Sequence, residues 1–231
     1  MALDMKSIKV DYQRKIEQRK IGDKLFVLEV IRDLDEAIDT ICNAMTEEDK
    51  KDPFAEDLCP YFGILWPAAE ALAEFISKNS QNFIHHRVLE LGCGLGLPSL
   101  VASYVGGHVL ATDFHPDVET YFVRNSRHSN IPCDYSRLNW RDDVLMLEKF
   151  DVVMGSDILY EGKHASEVAQ GLMRFIKPGG KIILSDPGRN YLQSFLTSMK
   201  NEGFKVEMHL ISVKDKEVFV FVFERITECT E

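Results

Sequence analysis

The chain has 231 residues, 45% hydrophobic and 28% charged, the balance of a folded globular protein, so wholesale disorder and collagen-like repeats are excluded. Its net charge is −10, from 27 basic and 37 acidic residues, which repels a polyanion at long range and attracts a cationic partner. One core of this length buries roughly 70–75% of the unfolded surface without a staple, and the five cysteines (Cys42, Cys59, Cys93, Cys133, Cys229) contain no C-x-x-C pair, excluding a zinc ribbon and suiting a reducing cytosol.

The N-terminus, MALDMKSIKVDYQRK, lacks the apolar stretch of a signal peptide. No apolar run reaches the ~18 residues of a membrane span. Residues Ile8–Arg32 alternate apolar and charged side chains, which predicts a small hairpin, and Leu34–Met45 reads as a helix. The charge-rich stretch Thr46–Asp57 is expected to be a solvated loop, and a further helix starts at Trp66-Pro67-Ala68-Ala69. Residues 1–60 therefore form an N-terminal extension, and residues 61–231 the main domain.

From Arg87 onward short β-branched runs alternate with helical patterns, which predicts an α/β fold with a parallel sheet. Strands are expected at Arg87–Leu91, His108–Thr112, Asp134–Leu138, Phe150–Gly155 and Lys181–Ser185. The helices are Pro98–Tyr104, Val118–Ser129, Ala165–Ile176 (stopped by Lys177-Pro178-Gly179-Gly180) and Tyr191–Gly203. Lys205–Val213 and Glu217–Arg225 are separated by Lys214-Asp215-Lys216 alone, too short for a crossover, so they form an antiparallel hairpin. Five parallel strands closed by that hairpin make a seven-stranded sheet.

The sharpest motif is Glu90-Leu91-Gly92-Cys93-Gly94-Leu95-Gly96, a glycine loop between a strand and a helix, which lets a ligand approach the backbone. A dinucleotide fingerprint spaces its glycines G-x-G-x-x-G. Here they run G-x-G-x-G after an acid, an arrangement that disfavours a pyrophosphate and suits a ligand carrying ammonium and sulfonium groups. Asp113 follows 21 residues after Gly92, at the end of the second parallel strand, where a carboxylate accepts both ribose hydroxyls of an adenosine ligand. The plain alternatives are a tight turn for the glycines and a helix cap for Asp113. The two together favour the ligand.

These residues, with Asn139-Trp140 and Asp157-Ile158-Leu159-Tyr160, resemble the class I, seven-β-strand, S-adenosylmethionine-dependent methyltransferases. Trp66 before the first core helix, the Leu-x-Trp and the Asp-x-x-Tyr are similar to the methyltransferase-like protein-lysine methyltransferase branch, over roughly Phe62–Arg225. The resemblance implies a Rossmann-like sheet and S-adenosyl-L-methionine as cofactor. Glu90, Gly92, Cys93, Gly94 and Gly96 are then cofactor-binding, Gly92 and Gly94 offering backbone to the methionine moiety and Asp113 holding the ribose. Trp140 lies against adenine, Ser156 lines the pocket through its backbone, and Trp66 closes the methionine end. Asp157 and Tyr160 are the catalytic pair, orienting an acceptor ammonium and offering a hydrogen bond and a ring face.

The bland alternatives are core packing for both tryptophans, a helix N-cap for Asp157 and simple space-filling for Cys93. The run Asp186-Pro187-Gly188-Arg189 matches no one subfamily and receives no role. The seven histidines are scattered without ligand spacing, so no metal is expected. The expectation is a monomeric, cytoplasmic methyltransferase acting on a protein lysine, without membrane or nucleic-acid partners. Two rivals share the fold, a methyltransferase for a small-molecule amine or other nucleophile and a non-catalytic module; a nicotinamide oxidoreductase is disfavoured by the glycine spacing.

Overall fold

The computed structural model describes residues 8–51, 55–141, 148–160 and 164–226; Cys229 lies outside them. Strands β1 (Arg14–Ile21) and β2 (Lys24–Ile31) pair antiparallel across a two-residue turn whose Gly22 has φ +58°. Helix α1 (Leu34–Ala44) follows, with the Asp33 carboxylate accepting the Glu36 N–H at its start. The stretch expected to be a solvated loop instead contains short 3-10 turns at Asp49–Lys51 and Glu56–Leu58, with another at Tyr61–Gly63. Leu58 and Phe62 are buried and pull the backbone onto the protein.

The main unit runs α2 (Pro67–Lys78), β3 (Arg87–Leu91), α3 (Leu97–Tyr104), β4 (His108–Asp113), α4 (Val118–Ser129), β5 (Asp134–Arg137), β6 (Phe150–Ser156), α5 (His164–Phe175), β7 (Ile176–Asp186), α6 (Leu192–Asn201), β8 (Phe204–Val213) and β9 (Lys216–Arg225). The sheet order is β5-β4-β3-β6-β7-β9-β8, parallel from β5 to β7, with β9 antiparallel to both its neighbours. This is the expected five-plus-two sheet. Strand β7 starts earlier than the sequence predicts: Ile176 pairs with Phe150, and the register then jumps so that Lys181 pairs with Val152. The Pro-Gly-Gly run is accommodated as an irregularity inside the strand, where a Cβ on Gly180 would stand 2.8 Å from the Asp151 carbonyl.

Period-two alternation divides the core between the two faces of the sheet. Val88, Val152, Met154 and Ile183 pack with α2, α3 and α4. Leu89, Leu91, Val153, Ile182 and Leu184 pack with α5 and α6. The β1–β2 hairpin joins the first of these cores through Phe26, Leu28 and Ile31. Polar contacts fix it to α4, among them the Val27 N–H donating to Ser129 Oγ at 3.1 Å and the Glu29 N–H to Asn125 Oδ1 at 2.6 Å. Lys214 and Asp215 both have positive φ, +44° and +64°, the signature of a two-residue type I′ turn between β8 and β9. Chain order reverses between β3 and β6, and a crevice opens there at the C-terminal ends of the strands.

Candidate active site

Gly92, Gly94 and Gly96 all sit in left-handed backbone, with φ of +66°, +50° and +83°. A Cβ on Gly92 would meet Ile158 Cγ2 at 2.8 Å, and one on Gly94 the Phe62 carbonyl at 3.2 Å. The loop is pinned from β4: the Cys93 N–H donates to the Thr112 carbonyl and the Gly94 N–H to Asp113 Oδ2, both at 2.9 Å. Asp113 Oδ1 accepts the His115 N–H at 2.9 Å, so backbone donors hold both carboxylate oxygens. Burial pushes the Asp113 carboxyl up from its ordinary value.

Loop and carboxylate border a cavity of about 700 Å³ at the ends of β3, β4 and β6. Of the residues the sequence singles out, Trp66, Gly92, Cys93, Gly94, Gly96, Asp113, Trp140, Ser156, Asp157 and Tyr160 all line it. Trp66 precedes α2 and donates its Nε1–H to the Tyr61 carbonyl at 2.9 Å. Trp140 is buried beside Gly171 of α5, where a Cβ would come within 3.1 Å of the tryptophan Cβ. Cys93 is buried, which pushes its thiol well up and keeps it neutral. Tyr160 is exposed at the mouth.

The structure does not bring Glu90 to this cavity. Its side chain lies fully buried under α3, where Oε2 accepts the Ser99 N–H at 3.0 Å and the Ser99 hydroxyl at 2.5 Å. It thus satisfies an orphan donor of the helix's first turn. Oε1 has no hydrogen-bond partner among the described residues, and burial pushes the carboxyl up to about 8. Glu90 shapes the loop's exit from beneath α3.

Asp157, expected to orient an acceptor, is paired with Arg189. Its φ is +57°, and its Oδ1 accepts two hydrogen bonds from Arg189, from Nε at 2.8 Å and from a terminal nitrogen at 2.6 Å. Arg189 belongs to the run that the sequence leaves without a role. Asp186 Oδ1 accepts the N–H groups of Gly188 and Arg189 at 2.7 and 2.8 Å, so one buried carboxylate folds the loop that carries the arginine.

The sequence also misses the cavity wall contributed by Glu56, Asp57, Cys59 and Tyr61. His115 holds that wall. Its Nε2 lies 3.2 Å from the Leu58 carbonyl and its Nδ1 accepts the Asp117 N–H, which fixes the Nε2–H tautomer. Burial brings this imidazole down to about 4, so it is neutral. Among the described residues the cavity sets four carboxylates (Glu56, Asp57, Asp113, Asp157) against two guanidiniums (Arg141, Arg189), a balance that favours a cationic ligand. No cluster among the described residues is placed to hold a metal ion, and no described helix is long and apolar enough to cross a membrane.

A family model described as lysine methyltransferase matches residues 56–202. The electron transfer flavoprotein beta subunit lysine methyltransferase of Xenopus laevis is 33% identical over 58% of this chain and 55% of its own length. The protein N-lysine methyltransferase METTL21A of Danio rerio is 28% identical over 68% of this chain and 75% of its own. The histone-arginine methyltransferase METTL23 of Xenopus laevis is 31% identical over 48% of this chain and 50% of its own. The chain thus spans about half to three quarters of these curated relatives. Among solved structures, the T. Thermophilus 16S rRNA N2 G1207 methyltransferase, in complex with AdoMet and guanosine, has a TM-score of 0.65 at 12% identity, covering 94% of this chain and 52% of that one. At that identity the likeness is one of fold.

Proposed function

The chain belongs to this lysine methyltransferase family, and on that premise we propose that it transfers a methyl group from S-adenosyl-L-methionine to a lysine side chain of a protein. The observation that carries the reading is the left-handed glycine loop clamped to Asp113 beside a net-acidic cavity. The residues fit the cofactor. Gly92 and Gly94 present bare backbone to the cavity, Asp113 retains lone pairs for ribose hydroxyls, and the surplus of carboxylates suits ammonium and sulfonium charges. Trp140 offers the flat apolar face that adenine needs, Ser156 its backbone, and Trp66 the wall at the methionine end.

When bound, S-adenosyl-L-methionine supplies an electrophilic methyl carbon on a sulfonium. The chain's own work is alignment. Asp157 and Tyr160, at the end of β6, hold the acceptor nitrogen in line. A lysine amine has an ordinary pKa near 10.4 and must give its proton to water before its lone pair attacks. Residues 1–60 act in this reading as an extension whose last residues, with Cys59, complete the cavity wall. The same reading makes the protein a cytoplasmic monomer, with the charge of −10 disfavouring nucleic acid.

The test is a lysate labelled with the tritiated cofactor, resolved by gel, with mass spectrometry of the labelled band. Methyl on a protein lysine supports the reading. Label confined to small molecules, or found on arginine, overturns the acceptor while keeping the methyltransferase.

A further inference from the structure

Arg189 sits where an acceptor cation is expected, and its loop is built to keep it there. Asp186, fully buried at the end of β7, spends Oδ1 on two backbone donors of that loop. Gly188, at φ +93°, lies against Phe219 of β9, whose ring is 3.2 Å from where a Cβ would stand. The guanidinium then grips Asp157 with two donors, and both fall on Oδ1. Oδ2 carries no hydrogen bond among the described residues and belongs to a side chain 9% exposed at the cavity.

A bare carboxylate at this point would work against the chemistry. It would attract a lysine ammonium and stabilise the charged form, and that form has no lone pair to attack a methyl carbon. A guanidinium on Oδ1 cancels most of that charge at short range and leaves Oδ2 as an acceptor. We propose that Arg189 is a positioning residue that compensates Asp157, so that the carboxylate aligns the acceptor amine without retaining its proton. The inference rests on the lysine reading above.

The other groups do not duplicate this role. Burial pushes the Asp186 carboxyl behind the pair up from its ordinary value, and Tyr160 stands exposed at the mouth. Glu56 and Asp57 also line the cavity, and Arg141 is engaged by Glu167 at 2.8 Å and Asp57 at 3.9 Å. In the step itself the ammonium passes its proton to water. The nitrogen lone pair then forms the N–C bond as the C–S bond breaks, and that electron pair stays on sulfur.

The experiment is a single-turnover pH series from 7 to 11, saturated with cofactor and crossing the ordinary lysine midpoint, using the purified protein band that the wild type labels. Arg189→Gln keeps an N–H donor and removes the charge; Arg189→Lys keeps the charge and loses the fork. For Arg189→Gln the midpoint of the pH–rate profile is expected to move up by about one unit, with transfer near pH 7.5 falling about tenfold and the deficit narrowing to about threefold by pH 11, above the wild-type midpoint. The acceptor concentration for half-saturation falls, and S-adenosylhomocysteine affinity stays within about threefold. Arg189→Lys keeps the wild-type midpoint. An Arg189→Gln profile scaled down equally at every pH means a structural role only and overturns the proposal. A profile raised at every pH means that Arg189 blocks the site, and overturns it too, as does a shifted midpoint in Arg189→Lys. A wild type that labels no protein lysine is a different result, and it removes the lysine reading itself.

Discussion

The ring of Phe122 stands 2.4 Å from the place a Cβ on Gly96 would occupy, and Gly96 has a φ of +83°. The third glycine of the loop is therefore required by the packing of α4 against the start of α3, whatever the cavity holds. Gly96→Ala combines left-handed strain of about 1–2 kcal/mol with overpacking of about 1–3 kcal/mol. Urea unfolding should show a loss of roughly 2–5 kcal/mol, and an unchanged midpoint contradicts this packing.

Asp113 holds the loop, and in the proposed reading it also holds the ligand. Calorimetry should show S-adenosylhomocysteine binding in the micromolar range, about −8 kcal/mol. Asp113→Ala should weaken it by roughly 1–3 kcal/mol, the scale of a lost charged acceptor. Preferential binding of NADH would refute the cofactor assignment.

Asp157 separates binding from chemistry. Its left-handed backbone tolerates asparagine, so Asp157→Asn tests the carboxylate without the strain that alanine would add. Cofactor affinity should stay within about threefold, roughly 0.6 kcal/mol, while transfer falls at least about tenfold, or 1.4 kcal/mol of barrier. Unchanged transfer reduces Asp157 to an anchor for Arg189.

Glu90 predicts a pH dependence of stability. Burial raises its folded-state value from 4.5 to about 8, so the fold favours the protonated form. Its contribution is fully present below about pH 4.5 and is lost as pH rises through about 8. Glu90→Gln keeps an acceptor for Ser99 and cannot ionise. Thermal unfolding from pH 5 to 8.5 should therefore show the variant gaining on the wild type as pH rises; parallel curves would rule this out.

The sheet was legible because its information is local. The runs Val88-Leu89, Val152-Val153 and Ile182-Ile183 announce strands buried on both faces, and Gly92 to Gly96 with Asp113 announce the crevice. Alternation along β3 even carried the signal for Glu90, since it shares the parity of Val88, which faces α2 and α3, and not that of Leu89. What stayed hidden depends on contacts between distant segments. His115 meets Leu58 across 57 residues and Arg189 meets Asp157 across 32. No periodicity reports such a pairing. In the stretch Thr46–Asp57 and just beyond it, dense charge masked the two apolar side chains, Leu58 and Phe62, that seat it.

Strand β9 lies between β7 and β8, although it is the last described strand to leave the ribosome. A nascent chain ending at Val213 has β7 with a bare edge and β8 with no neighbouring strand. The sheet can close only by admitting ten late residues into its interior, Lys216–Arg225. Closure is thus held until after synthesis of everything that lines the cavity, and the interval before it is when the unfinished edge is open to pairing with another chain.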